Sequence, residues 1–271
     1  MNKTLFLVPV LAISHLAQAE AVQYQMSLGG SHSSYDTASS SAKSYAAGLS
    51  GTYFLSPVET NGIVQNELTF IRRANFITAS VSHSEYEYDY SIPFGDAYVL
   101  SGESNYDYRS GFIGGQHFIN ENTFVGGSYT RAFQSDADGS ATIHGGYYYD
   151  ETSAVSASLT QRIGESDSTR FSIDNKSLLA LNDTSSLTYG LGISAAVDNF
   201  EESVSVSFGT TYYFTDYTGL GVSGGYHIDT SEFGYSLSFS HFFNDSIGLD
   251  VSVSEADEGW DAYGVSIIGR F

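Results

Sequence analysis

Cysteine is absent from the chain, proline occurs three times and tryptophan once. Without thiols there is no disulfide framework, no thiolate-ligated metal centre and no N-terminal lipid-modified cysteine. Charge is scarce too, at 15 % of residues, where about a quarter is usual in soluble domains. It is also one-sided: 31 acidic against 10 basic side chains give a formal net charge of −21. Such a surplus of carboxylates repels phosphate backbones and anionic headgroups, so nucleic acid is excluded as a partner. Beyond residue 19 no apolar run approaches the roughly 20 residues of a membrane-spanning helix. What is plentiful is Gly (28), Tyr (21) and Phe (18), an aromatic content opposite to that of disordered chains.

Residues 1–19 stand apart. Lys3 supplies a positive start, Leu5 to Leu16 an apolar run, and Ala17-Gln18-Ala19 a small-x-small cleavage site. The run is too short to cross a bilayer as a helix, so the segment reads as a secretory signal peptide cut after Ala19, with Ala17 and Ala19 as cleavage determinants. One structural unit is then expected over 20–271.

That unit has a period of two. Tyr263, Val265, Ile267, Gly269 and Phe271 alternate with Ala262, Gly264, Ser266, Ile268 and Arg270. Leu187, Tyr189, Leu191 and Ile193 oppose Thr188, Gly190, Gly192 and Ser194, and Val204, Val206 and Phe208 oppose Ser203, Ser205 and Ser207. Alternation places one set on each face of a strand. The segments run about ten residues, the length a tilted strand needs to cross a bilayer. The polar faces carry Ser, Thr and Gly and few long charged side chains, unlike the water-facing side of a soluble sandwich. They suit the lining of a barrel whose apolar face meets lipid, closed on itself so that no backbone group is unpaired.

Punctuation agrees. Pro57 and Pro93 fall outside the alternating runs, as an unbroken ladder requires. Short polar connections at 120–122, 150–153, 182–185, 215–218 and 244–246 alternate with acidic ones at 135–140, 164–169, 198–202, 229–232 and 255–261, while 31–42 and 91–104 read as longer loops. Tyr53, Phe54, Phe118, Phe124, Tyr212, Tyr213, Phe214, Phe242 and Phe243 crowd the strand ends, where interfacial girdles sit. The fold class is therefore all-β, a transmembrane antiparallel up-and-down barrel. Strands are placed near 22–30, 43–54, 75–90, 105–118, 123–133, 141–149, 154–163, 170–181, 186–196, 203–214, 219–228, 234–243, 247–255 and 262–271, which makes fourteen. Segment 55–74 leaves twelve or sixteen open, since it reads as hairpin, plug or periplasmic turn.

The run Tyr263, Val265, Ile267, Gly269, Phe271 resembles the terminal strand of bacterial outer-membrane barrels, in which a final aromatic is read by the assembly machinery. The stretch from Pro57 through Gly62 and Glu67 to Phe70-Ile71-Arg72-Arg73 is similar to the segment after the second strand in general porins of marine Gram-negative bacteria, with Ile63 where those have a proline after the glycine. The resemblance implies passive diffusion of small hydrophilic solutes through the outer membrane of a Gram-negative bacterium. The partners expected are outer-membrane lipid, lipopolysaccharide and the barrel assembly machinery. Neither cofactor nor metal is expected, and homo-oligomerisation stays open.

Alternation turns Asp107, Arg109, His117, His144, Arg162, Asp174, Lys176, His227, Asp250 and Arg270 inward. There they would set the field felt by passing ions, or merely neutralise one another as wall ion pairs. The carboxylate surplus suggests a mild preference for cations. The rival classes are a barrel-embedded lipid hydrolase or protease and a surface receptor or adhesin. Against an enzyme, no zincin spacing or phosphate loop occurs, and the G-x-S-x-G match Gly221-Val222-Ser223-Gly224-Gly225 lies within an alternating strand run rather than at the strand-to-helix turn a nucleophile elbow needs. Asp136-Ala137-Asp138-Gly139 lacks the glycine and glutamate spacing of a calcium loop and reads as a tight hairpin.

Overall fold

A computed structural model describes residues 21–36, 40–94, 98–134, 139–164, 168–198, 202–256 and 259–271, with backbone alone for 91–94 and 98–100. The signal-peptide reading with Ala17 and Ala19, and the hairpin at 136–138, lie outside the described residues.

Fourteen strands form: β1 (Ala21–Asp36), β2 (Ser40–Glu59), β3 (Phe76–Phe94), β4 (Tyr98–Phe118), β5 (Thr123–Ala132), β6 (Gly139–Tyr148), β7 (Ser153–Ile163), β8 (Ser168–Ala180), β9 (Ser186–Asp198), β10 (Glu202–Thr215), β11 (Thr218–His227), β12 (Glu232–Asn244), β13 (Ile247–Ala256) and β14 (Trp260–Arg270). Each pairs antiparallel with its neighbours in the chain, and β14 pairs with β1, closing the barrel. The seam is completed by residue 271: the Phe271 carbonyl accepts from the backbone N–H groups of Gln23 and Tyr24, and its own N–H donates to Tyr24.

Closure sorts the side chains in the reverse of a soluble protein. Leu191 is 64 % exposed while Gly192 beside it is buried. Met26, Leu49, Ile77, Val81, Ile113, Ile143, Val222 and Val265 are likewise exposed on the outer wall. An apolar belt of this extent is stable only against hydrocarbon. The inner wall explains the abundance of serine. Ser27 meets Ser50 at 2.7 Å, Ser82 meets Ser110 at 2.7 Å, Ser158 meets Ser172 at 2.8 Å and Ser194 meets Ser205 at 2.7 Å. These are cross-strand neighbours, so each hydroxyl satisfies its partner without a charge.

Two expectations about the rim are corrected. The stretches 31–42 and 91–104 are mostly strand: β1 runs on to Asp36 and β2 starts at Ser40, while β3 and β4 extend over 19 and 21 residues. At about 3.3 Å per residue the β3–β4 hairpin is roughly twice as long as a bilayer crossing needs. Beyond the hydrocarbon both faces of a hairpin meet water, so the alternation that marks a strand in sequence fades although the ladder continues.

Candidate functional site: a lumen with an inward-folded segment

The link between β2 and β3, residues 60–75, folds back into the barrel at the end that carries the short turns and residues 21 and 271. Gly62, with φ of 68°, turns the chain inward, a conformation glycine adopts without a Cβ penalty. A one-turn 3₁₀ helix (Gln65–Glu67) and the single helical turn α1 (Leu68–Ile71) follow. Arg73, with φ of 50°, ends the excursion. A non-glycine residue in this region is strained by about 1–2 kcal/mol, which its surroundings must offset.

Apolar contacts seat the segment on two separate stretches of wall, with β3 and β4 between them. Ile63, Leu68 and Ala74 cluster with Val22, Phe54 and Val58 of β1 and β2, and Ile71 packs against them. Phe70 packs on Phe124, Tyr148 and Ala154 of β5, β6 and β7. Five of the nine expected girdle aromatics thus point inward, Phe118 among them, half-buried against Phe124 and Tyr148. Phe54, Phe124, Tyr213 and Phe242 are buried inside the barrel end, whereas Tyr53, Tyr212, Phe214 and Phe243 stay on the outer wall. Glycine on the adjacent strand makes room for the inward rings. A Cβ at Gly219 would lie 2.6 Å from the Tyr213 ring, and one at Gly248 2.8 Å from that of Phe242.

Polar ties span the lumen. Arg270, only 3 % exposed, donates to the Gln65 side-chain oxygen at 2.7 Å, to the Gln65 carbonyl at 2.9 Å and to Gln25 at 2.8 Å, with its guanidinium 4.3 Å above the Phe242 ring. The Gln65 backbone N–H donates to the Asp216 carbonyl in the β10–β11 turn at 2.8 Å. Glu67 accepts from the Tyr213 hydroxyl at 2.9 Å and pairs with Lys176 Nζ at 2.6 Å. Lys176 also lies 4.9 Å from the Phe70 ring centroid. Arg73 donates to the carbonyls of Glu121 (2.7 Å) and Asp150 (3.0 Å) and to the Asn122 side chain (2.7 Å), and so joins two turns.

The register turns seven of the sequence-predicted wall residues inward: His144, Arg162, Asp174, Lys176, His227, Asp250 and Arg270. Of these, Lys176 and Arg270 meet at the folded-back segment. Three are corrected. Asp107 and Arg109 pair with Glu85 and His83 on the face that also carries Val81 and Ile113, and His117 pairs with Val125; all three point outward. The physical reason is the long hairpin. Above the hydrocarbon the outer face bears charges, while Tyr86 and Tyr106, stacked at 4.8 Å, share the inner face with Phe112. His117 stands next to the exposed Ile119 at the opposite end, where the outer wall leaves the belt. Tyr263, Val265, Ile267 and Gly269 lie on the outer face of β14. Gln65, Glu67, the luminal role of Tyr213 and the inward Arg170 were not foreseen as site features, and nothing local in 60–74 marked the first two.

Beside and above the segment the lumen stays open. One bay of about 500 Å³ is bordered by Ser50, Asn66, Ser82, Thr211, Asp250 and Ser266. Another of about 450 Å³ is bordered by Glu67, Asp174, Lys176, Thr188, Ser207 and Ser223. Hydroxyls and backbone dominate both linings, offering hydrogen bonds to a hydrated solute.

No protein-family profile and no curated protein matches the chain in sequence. In structure it is similar to the outer membrane protein Omp33 of Acinetobacter baumannii, with a TM-score of 0.69 at 11 % identity over 94 % of this chain and 100 % of that one. A bacterial polysaccharide outer membrane secretin gives a TM-score of 0.50 at 9 % identity, covering 92 % and 98 %. These likenesses establish the fold, a closed outer-membrane type of barrel.

Proposed function

We propose that this protein is an outer-membrane channel through which small hydrophilic solutes diffuse passively, narrowed at its periplasmic end by residues 60–75. The observation that carries the reading is the inside-out wall: an apolar exterior around a lumen lined by paired hydroxyls and glycine, with open bays of about 500 and 450 Å³. Short turns and residues 21 and 271 share one rim, the arrangement in which that rim faces the periplasm. Export by a cleaved signal peptide and recognition of the Tyr263–Phe271 strand during assembly complete the proposal. Kinship with marine general porins rests on the 57–79 stretch, part of which forms the folded-back segment.

Ion preference follows from where charge sits. Inside the lumen acidic Glu67, Asp174, Asp198, Glu232 and Asp250 face basic Arg162, Arg170, Lys176 and Arg270, a near balance of five against four. The acidic surplus lies at the rims and on the outer faces of the hairpins. A mild cation preference is therefore proposed as a rim effect, screened within about 10 Å at 0.1 M salt. Reversal potentials should show cation selectivity in dilute salt that fades as salt rises; anion selectivity in dilute salt would contradict it. Liposome swelling with sugars of graded size tests the channel itself. Small sugars should enter and larger ones be excluded, and swelling equal to protein-free liposomes would refute the reading.

A further inference from the structure

The geometry points to a sugar-binding platform at the extracellular end of the lumen, built on Trp260 and Tyr35. This inference rests on the channel reading and adds a solute class to it: uncharged pyranose sugars. Trp260, the only tryptophan in the chain, opens β14 and pairs with Tyr35 of β1 on the inner face. The two rings stack with centroids 5.1 Å apart and planes 23° from parallel. Trp260 is 40 % exposed, so a large aromatic surface faces the lumen rather than a packed core.

The register shows what lies around it. In the cross-strand row of Trp260 the next three inward positions are Ala256, Gly234 and Gly225. These side chains are too small to cover the wall, so the indole borders a shallow shelf. The next inward row toward the periplasm carries Ser254, Ser236 and Ser223 on the same three strands, β13, β12 and β11. Together these residues line a bay of about 430 Å³, within the range of small-molecule pockets.

The chemistry of such a bay is selective. A pyranose ring has one face of C–H groups and an edge of hydroxyls. The C–H face suits the electron-rich face of an indole, and the hydroxyl edge suits a row of serines. Glu255 and Asp261 also border the bay but stand on outer-face positions of β13 and β14, so a charged solute would find no opposite charge among the inward shelf and serine side chains. The alternative is that Tyr35 and Trp260 merely brace the β1–β14 seam as a cross-strand aromatic pair.

The single tryptophan lets one residue report on the site by two routes. With the full protein in planar bilayers, maltose should reduce the ion current saturably, and acyclic sorbitol at equal osmolality should not. Trp260→Ala should weaken the maltose block at least tenfold with ion conductance kept, and Trp260→Phe should retain part of it. With the protein in detergent micelles, maltose should shift the indole emission, and Tyr35→Ala should weaken that titration. Equal maltose block in Trp260→Ala and the parent would overturn the inference, as would emission that responds to neither sugar or to both alike. Absence of ion current from every version would instead refute the channel reading, while the emission titration still decides the site.

Discussion

Removing the Glu67 carboxylate should loosen the segment that narrows the channel. Its side chain is only 8 % exposed, while Lys176 opposite is 46 % exposed. The half-exposed ion pair is therefore worth about 0.2–1 kcal/mol. The bond from the Tyr213 hydroxyl to an ionised acceptor adds about 1.5–3 kcal/mol. Relief of burying a carboxylate offsets part of this, so Glu67→Ala should shift the balance between seated and displaced segment by about 2 kcal/mol, roughly thirtyfold in population. Single-channel recording should show larger-conductance events about thirtyfold more often than in the parent. Glu67→Gln, which keeps an acceptor for Tyr213, and Lys176→Met, which removes only the ion pair, should each stay within about fivefold. The apolar seats on β1–β2 and β5–β7 remain in all three, so the barrel should still resist unfolding in detergent. An event frequency for Glu67→Ala within twofold of the parent would refute the latch.

Replacing residues 61–71 by a short Gly-Ser linker should raise mean conductance and the size limit in liposome swelling together, because both lining bays then join; an unchanged size limit would mean that the narrowing lies elsewhere. Arg109→Ala should leave conductance and ion preference unchanged, since Arg109 faces away from the lumen opposite His83; altered selectivity would contradict the register. Phe271→Ala should reduce the amount of folded barrel recovered from membranes, as read by heat-dependent gel mobility, and full recovery would remove Phe271 from the proposed assembly strand.

The barrel was legible because lipid imposes a strict rule. Along β9 or β13 every second side chain must be apolar, and the ladder cannot be interrupted, so alternation and turn residues place fourteen strands in order, with only the aperiodic 55–74 leaving twelve or sixteen open. Even Ser168–Ala180, where Asn175 and Ser177 break the pattern, forms a strand because both neighbours hold it. The rule also placed Asp174, Lys176 and Asp250. It failed for Asp107 and Arg109 because they stand above the hydrocarbon, where an outward charge is solvated. The folded-back segment obeys no period. Its partners come from β1, β2, β5, β6, β7, β8, β10, β14 and several turns, with Arg270 lying 205 residues from Gln65. Such long-range satisfaction leaves no local mark. Phe54, Phe124 and Phe242 were grouped with Tyr53 and Phe243 because each sits near a strand end, although alternation alone puts residues 54 and 242 on the faces opposite 53 and 243.

The central claim is that the wall is apolar outside and hydroxylated inside. The absence of native cysteine makes single-cysteine labelling a clean test. Val222 and Ser223 are neighbours near the middle of β11, on opposite faces. In intact proteoliposomes a membrane-impermeant thiol reagent should modify Ser223→Cys from the lumen and leave Val222→Cys untouched. Modification of Val222→Cys with protection of Ser223→Cys would contradict the account.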